Sequence, residues 1–349
     1  MANRAKFMRQ MRKALDSGDL AIEAAFLQSI QGIVDDIVLT RVIQALARGD
    51  IDAAVDAVDI DRAAFSAFES AFRSNYESVG SATSSLMAPV RALDGTRITI
   101  RFDARNPRAE EWLSTWSSER ITGDLVPEQR QVIRDTMTRG LARGDNPRTT
   151  ALDMAGRVVG GKRQGGIIGL TGPQQATVDW VKDALASGDQ DALRRYLNLG
   201  RRDKRLDAQI KALIKGGKPA TRELREKVVT RLSDSYQKLR AETIARTESM
   251  RSLNAAEEEA FRQALDKSGS SEQFVTREWS SARDKRTRDS HGALHGTKVQ
   301  GLTQPFVTSN GHRMMRPGDD SLGTPAGEIA NCRCIQYIEI DYFQARGGD

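Results

Sequence analysis

The sequence predicts a mainly α-helical protein, in which extended helical N-terminal and middle regions precede a long helix that leads into a small C-terminal α+β module. Aromatic residues make up only 5% of the 349 residues and hydrophobic residues 39%, a composition that suits long helices with contacts built on Ala and Leu. Apolar residues recur at helical spacing as far as about residue 265. After the Ser- and Gly-rich stretch at 268–271, strand-like alternation begins.

Eight helices are predicted ahead of the long one, at about 3–16, 20–47, 61–92, 107–119, 127–142, 147–158, 174–186 and 206–215. Gly-Asp pairs predict corners between helices, because Gly ends a helix in the left-handed conformation and Asp caps the next helix. These pairs are at 18–19, 49–50, 144–145 and 188–189. One strand is predicted at 98–102, where apolar and polar residues alternate. The pattern divides the chain into three consecutive regions, 1–105, 106–220 and 221–349.

The longest helical pattern runs from about Thr221 to Leu265. Apolar residues from Leu224 to Leu239 form one stripe, and the stripe resumes at Met250. Polar residues interrupt it at 243–248, so we expect the helix to bend or break there.

The charge is distributed unevenly. Net charge is +6, yet residues 16–62 contain ten acidic and three basic residues, whereas residues 194–227 contain twelve basic and four acidic ones. The basic segment predicts contact with nucleic acid or with an acidic protein surface, although a solvated helix face explains it equally well. The contact residues would be Arg194, Arg195, Arg201, Arg202, Lys204, Arg205, Lys211 and Lys215.

We expect the chain to be made in a reducing cytosol without a membrane span. No apolar stretch reaches the roughly 20 residues that cross a bilayer, and the basic N-terminus lacks the features of a secretion signal.

All three histidines and both cysteines lie in the last sixty residues. His291 and His295 would share one face of a helix, and Cys332 and Cys334 one face of a strand. A structural zinc ion bound by these four residues is therefore one expectation. The other is no cofactor at all, with hydrogen-bonded loop histidines and packed thiols.

Catalytic motifs are weak, so we do not expect an enzyme or catalytic residues. Residues 156–162 have the glycine and lysine spacing of a phosphate-binding loop, but Arg163 stands where Ser or Thr is needed. Residues 291–319 contain the residue types of a His-Asn-His nuclease in the wrong order. A metal-dependent nucleic-acid-processing enzyme that uses the C-terminal His and Cys residues is the alternative function.

Ordered motifs in the C-terminal third are more specific. They are Arg246, Thr247 and Glu248 on the long helix, then Trp279, Asp284, Arg288, His291, Gly296 and Pro317, and finally Asn331, Cys332, Arg333 and Cys334. Over about residues 221–340 the chain resembles the Mu F-like phage head morphogenesis family, also called minor head or minor capsid proteins.

The resemblance implies a minor head protein of a tailed bacteriophage that acts in procapsid assembly, DNA packaging or genome delivery. Its implied place is the interior of the virion head near the portal. The implied partners are the portal protein, the major capsid protein or both, with packaged DNA as a further contact. The motif residues would have structural roles, and we expect Arg246 to be buried and to join the long helix to residues 284–291.

Overall fold

The structure is a computed structural model that describes residues 4–92, 94–341 and 344. It is 63% helical with a few small antiparallel sheets, which confirms the predicted mainly α fold with a small C-terminal α+β region. Within the described ranges, no helix is both long enough and apolar enough to cross a membrane.

Thirteen α-helices occur in the described residues. They are α1 (Arg4–Asp36), α2 (Leu39–Ala47), α3 (Ile51–Asp56), α4 (Ser66–Leu86), α5 (Pro107–Ser117), α6 (Val126–Ala142), α7 (Pro147–Ala155), α8 (Gly172–Ser187), α9 (Gln190–Tyr196), α10 (Asp207–Gly216), α11 (Arg222–Ser268), α12 (Asp289–Ala293) and α13 (Ala326–Ile329). A π-helical segment, Ser118–Leu125, separates α5 from α6.

The described strands are short. They are β1 (Val90–Arg91), β2 (Arg97–Ile98), β3 (Arg157–Val159), β4 (Lys162–Gln164), β5 (Val275–Ser280), β6 (Lys298–Gln300), β7 (Phe306–Val307), β8 (Arg313–Met314) and β9 (Ile335–Ile340). Three antiparallel pairs, β1–β2, β3–β4 and β7–β8, accompany one three-stranded sheet of order β6-β5-β9. In that sheet Val275 pairs with Ile340 and Ser280 with Ile335.

The chain forms two compact units. Unit 1 takes its described residues from 1–25, 68–115 and 242–349, and unit 2 from 26–67 and 116–241. Each unit therefore collects segments that are distant in sequence. The sequence-based division at residues 105 and 220 used consecutive regions and stays a prediction.

The predicted helix-ending glycine is found at three of the four Gly-Asp pairs, and the predicted Asp cap at two of them. Gly49, Gly144 and Gly188 all have a positive φ at the end of a helix. Asp50 and Asp189 then accept hydrogen bonds from backbone N–H groups at the start of the next helix, and Asn146 performs this role after Gly144.

The corner predicted at Gly18-Asp19 is wrong, because α1 continues through it. Gly18 instead permits close packing within unit 1: a Cβ there would lie 2.5 Å from Asn75 Oδ1. Asp19 accepts a hydrogen bond from Ser249 Oγ of α11. Gly18 therefore allows Asn75 to pack closely against α1 and does not end the helix.

Three further expectations need correction. Helix α11 is continuous through residues 243–248, so the expected break is absent there; its polar residues, among them Glu248 and Ser249, are buried within unit 1. Helix α7 ends at Ala155, before the predicted residue 158, and Gly156 is its C-cap; Gly160 and Gly161 form the turn of the β3–β4 hairpin that follows. Only Ile98 of the predicted 98–102 strand is in β-structure.

Unit 2 holds an irregular loop, residues 165–171, through side chains of α6 and α11. Gln129 of α6 is fully buried; it donates to Leu170 O (3.0 Å) and accepts from Gly169 N (2.7 Å). From α11, Gln237 donates to Ile168 O (3.0 Å) and Arg240 to Leu170 O (2.7 Å). We call this arrangement the loop clamp.

In unit 1 the second half of α11 packs on the β6-β5-β9 sheet. The apolar part of this contact is a cluster of Phe261, Leu265, Val275, Leu302 and Ile338. We call residues 242–341 of unit 1 the C-terminal module.

Candidate functional site

Hydrogen bonds to α11 fix the position of residues 331–334 in the C-terminal module. Asn331 N donates to Thr247 Oγ1 (3.1 Å), and Asn254 Nδ2 donates to Cys334 O (3.3 Å). Asn331 has φ +57°, a left-handed conformation that Asn tolerates better than most residues. The backbone that carries the two cysteines is therefore held firmly against the helix.

The two cysteines face one histidine in a buried cluster. The distance from His291 Nδ1 is 3.3 Å to Cys332 Sγ and 3.6 Å to Cys334 Sγ. The residues are only 1%, 3% and 2% exposed, and their ligand atoms all lie within 4.8 Å of one another. We call these three residues the thiol–imidazole cluster.

The pKa values of the two thiols shift in opposite directions. A hydrogen bond with Cys334 and the adjacent His291 lower the pKa of Cys332. The Cys332 sulfur and burial raise the pKa of Cys334. Cys332 is thus the sulfur more readily held as a thiolate, the form that binds metals.

The other ring nitrogen of His291 faces a carboxylate. Its Nε2 lies 3.0 Å from Glu328 Oε2, and Glu328 also accepts hydrogen bonds from Ser290 Oγ (3.0 Å) and Asn310 Nδ2 (3.1 Å). Burial acts to raise the pKa of Glu328, but these two hydrogen bonds and the charge of His291 outweigh it and keep that pKa below its usual value. The ring of Trp279 packs edge-on against His291 at 5.3 Å.

His295 lies outside the thiol–imidazole cluster. It is exposed, and its Nδ1 accepts from Ser281 N (3.2 Å). Helix α12 ends at Ala293, so His291 and His295 do not share one helix face. The structure thus brings together three of the four residues expected to bind zinc.

Arg246 also differs from expectation. It is only half-buried, and its charge lowers the pKa of Asp19, against the dominant effect of burial. Among the described residues, no hydrogen bond joins Arg246 to residues 284–291. Arg288 does join residues 284–291 to the segment beside the cysteines, because its Nη2 donates a hydrogen bond to Ala330 O (2.6 Å).

The remaining motif residues form turns and short polar contacts. Gly296 N donates to Trp279 O (2.8 Å). Asp284 accepts from Arg286 N (2.9 Å) and lies 3.9 Å from Arg333. After Pro317, Gly318 has φ +83°, and a Cβ there would meet Met250 of α11 at 2.6 Å.

The C-terminal module also contains a group of buried charged residues, which the sequence analysis did not predict. Glu258 of α11 binds Arg316 (3.3 Å) and Arg262 (2.9 Å). Burial acts to raise the pKa of Glu258, but the charges of Arg316, Arg262 and Arg277 outweigh burial and lower it. The Glu258 carboxylate is therefore the centre of the group.

Arg277 of β5 is completely buried. Its Nε donates to Gly301 O (2.8 Å), its two other nitrogens donate to Met315 O and Gln304 O, and it stacks on the Phe306 ring at 5.4 Å. One arginine thus satisfies three loop carbonyls. Its position between apolar strand residues, Val275 and Trp279, was the only signal in the sequence.

The basic segment offers less free charge than its composition indicates. Arg202 forms a bidentate ion pair with Asp207 (2.9 Å), Arg194 pairs with Asp191 (2.5 Å), and Arg205 pairs with Asp203 (2.8 Å). Arg195 lies over the Trp180 ring at 5.3 Å, and Arg201 is half-buried. Lys204, Lys211 and Lys215 are exposed. The contact with DNA or an acidic partner stays a prediction.

Comparison with known proteins bears on residues 188–337. Neither the curated proteins nor the solved structures include a match. Residues 188–337 match the model of the family described as Phage Mu protein F like protein. The match starts earlier than the predicted residue 221 and therefore takes in α9, α10 and all of the basic segment.

The match confirms the resemblance predicted from the ordered motifs. It also supports the broader functional expectation, a bacteriophage head morphogenesis protein. Residues 188–337 of this chain are thus similar to the Phage Mu protein F-like family.

Proposed function

We propose that the chain is a minor head protein of a tailed bacteriophage, a structural component near the portal that acts in procapsid assembly, DNA packaging or genome delivery. The observation that carries this proposal is the family match over residues 188–337. The proposed partners are the portal protein, the major capsid protein or both. The proposed location is the virion head, reached from the host cytoplasm during assembly.

The geometry of the matched region supports a structural role. Side chains of α11 fix residues 331–334, and Arg277 satisfies three carbonyls of the loops that follow β5. Buried polar side chains that hydrogen-bond to loop backbone hold that backbone in one conformation. A rigid, preformed domain suits a protein that takes a fixed place in a shell.

Contact with packaged DNA is the weaker part of the proposal. It rests on the exposed lysines Lys204, Lys211 and Lys215, since each phosphate contact by a cation releases counterions. Changing all three to Glu is expected to weaken DNA binding and to reduce its dependence on salt. A matched control is the change of Arg202 and Arg205 to Gln, because both arginines already pair with neighbouring aspartates.

Assembly with the portal tests the main proposal. The chain is coexpressed with the major capsid protein and scaffold of the same phage, with and without its portal protein, and particles are separated on a gradient. We expect the chain to sediment with particles that contain a portal and to be depleted from shells made without one. Equal amounts in both particles would assign it to the shell, and its presence only in the soluble fractions would contradict an assembly role.

The alternative function, a metal-dependent nucleic-acid-processing enzyme, predicts nucleic-acid cleavage that His291→Ala abolishes. The nearly complete burial of His291, Cys332 and Cys334 supports a structural use of these side chains, since a catalytic metal must meet its substrate. Incubation of the purified chain with single- and double-stranded DNA and a range of divalent metals tests this alternative directly.

A further inference from the structure

We propose that His291, Cys332 and Cys334 bind one zinc ion, through His291 Nδ1 and the two sulfurs, and that Glu328 orients the histidine from behind. This proposal concerns the C-terminal module itself and does not depend on the role of the chain in the phage head. It assigns three of the four ligands expected from sequence and replaces His295 with a supporting carboxylate.

The distances fit zinc as the side chains stand. With Zn–S bonds of about 2.3 Å and Zn–N bonds of about 2.0–2.1 Å, tetrahedral geometry separates a sulfur from a nitrogen by roughly 3.5 Å. The two observed separations from Nδ1 are 3.3 Å and 3.6 Å. Two thiolates and one imidazole are also a donor set that favours zinc over magnesium or calcium.

Glu328 is the second and independent observation. A metal-bound histidine usually gives its other ring N–H to a carboxylate, which fixes the tautomer and the ring orientation. Here Nδ1 faces the sulfurs while Nε2 lies 3.0 Å from Glu328 Oε2. Ser290 and Asn310 hold that carboxylate in turn. The buried Nε2 makes no aligned hydrogen bond as it stands, and a small rotation of the ring would let it donate to Glu328 while Nδ1 faces the metal.

A small cavity adjoins the three donors. Its volume is about 20 Å³, and its lining includes His291, Cys332, Cys334 and Asp284. A cavity of this size has room for about one water molecule. We infer that a water molecule from this cavity completes the coordination, because the ligand cluster has three protein members among the described residues.

The metal would join segments that have little regular structure. Between Ser281 and Cys334 the described elements are short, none exceeding the five residues of α12. His291 and the cysteines are about forty residues apart. A zinc ion that ties them would contribute directly to the folding of this stretch.

The first test is the metal content of the full chain, purified under reducing conditions without a histidine tag and measured by elemental mass spectrometry. We expect about one zinc per chain, and a strong loss in Cys332→Ser, Cys334→Ser and His291→Ala. The matched control is His295→Ala, which should keep its zinc because His295 is exposed and bonds to Ser281. Equal loss in both histidine variants would overturn the proposed ligand set.

The second test does not depend on the folding of ligand variants. Cobalt replaces zinc in the wild-type chain, and its absorption is expected to show sulfur-to-cobalt charge transfer with tetrahedral intensity. Glu328→Gln should keep full occupancy at excess metal but bind zinc about 10–100-fold more weakly in competition with a chromophoric chelator. A chain that takes up neither zinc nor cobalt, or one whose mass after alkylation reveals a Cys332–Cys334 disulfide, would contradict the proposal.

Discussion

The two halves of α11 stabilise irregular backbone in different ways. Residues 222–241 serve the loop clamp of unit 2 with the neutral amide of Gln237 and one buried charge, Arg240, helped by the neutral amide of Gln129 of α6. Residues 242–268 serve the C-terminal module of unit 1, where Glu258 sits among three arginines. When a buried neutral group loses its hydrogen-bond partner, the free energy of unfolding falls by the desolvation cost of that group. When a buried charge loses its partner, the free energy of unfolding falls considerably more. The C-terminal module should therefore be the more sensitive region to single substitutions.

The largest effect is expected for Arg316→Met, which keeps much of the side-chain volume but removes a charge from Glu258. The Arg316 side chain is 14% exposed, and breaking a buried ion pair costs about 3–5 kcal/mol. Because Arg262 still pairs with Glu258, we expect the lower end of this range in the free energy of unfolding, measured with urea.

The control for this change is Arg262→Met. The Arg262 side chain binds the same carboxylate but is 31% exposed, so its loss should cost about 1 kcal/mol or less. Equal losses in the two variants would show that burial does not determine the strength of these ion pairs.

A smaller effect is expected for Gln129→Ala in the loop clamp. This change leaves the buried Gly169 N–H without its acceptor, which costs about 1–3 kcal/mol. Gln131→Ala on the same helix is the control, since Gln131 bonds only to the exposed Asp135 and should change stability by less than about 0.5 kcal/mol. A loss for Gln129→Ala as large as that for Arg316→Met would remove the contrast between the two regions.

The pH dependence of stability should also separate the regions. Burial and the charge of Glu258 raise the pKa of Glu257 well above its usual value of 4.5. The stabilising contribution of a protonated Glu257 is complete below that usual value and is lost as the pH rises towards the raised pKa, by at most ~1.4 kcal/mol per pH unit.

The substitution that tests this contribution is Glu257→Gln, which cannot ionise. The difference in free energy of unfolding between this variant and the wild type should shift in favour of the variant as the pH rises from about 5 to about 8. Gln129→Ala should instead follow the wild-type pH profile at lower stability. Parallel pH profiles for the wild type and Glu257→Gln would contradict the claim that Glu257 has a raised pKa in the folded protein.

Much of the fold follows from local chemistry, which the sequence displays directly. Gly188 and Asp189 end one helix and start the next through their own backbone and side-chain preferences, so their role could be predicted. The strands β5 and β9 were likewise evident from alternation. Gly18 carries the same local pattern, but its packing against Asn75 depends on a residue 57 positions away, and no local rule anticipates it.

The candidate site was predictable in its residue types and less so in its geometry. The clustering of His and Cys residues near the C-terminus pointed to His291, Cys332 and Cys334, which do meet. Pairing His291 with His295 required a helix that reaches residue 295, but α12 ends at Ala293. Glu328 gave no signal of its own and Arg277 only its position between apolar strand residues, because their roles depend on which loops the module brings beside them.

The central claim is that this chain is a component of the phage head. The most direct measurement is quantitative mass spectrometry of gradient-purified virions, before and after release of their DNA. We predict the chain in full virions at a few copies for each portal; its loss on release would further indicate delivery with the genome. Complete absence from full virions, with the portal and capsid proteins present in normal amounts, would contradict the claim.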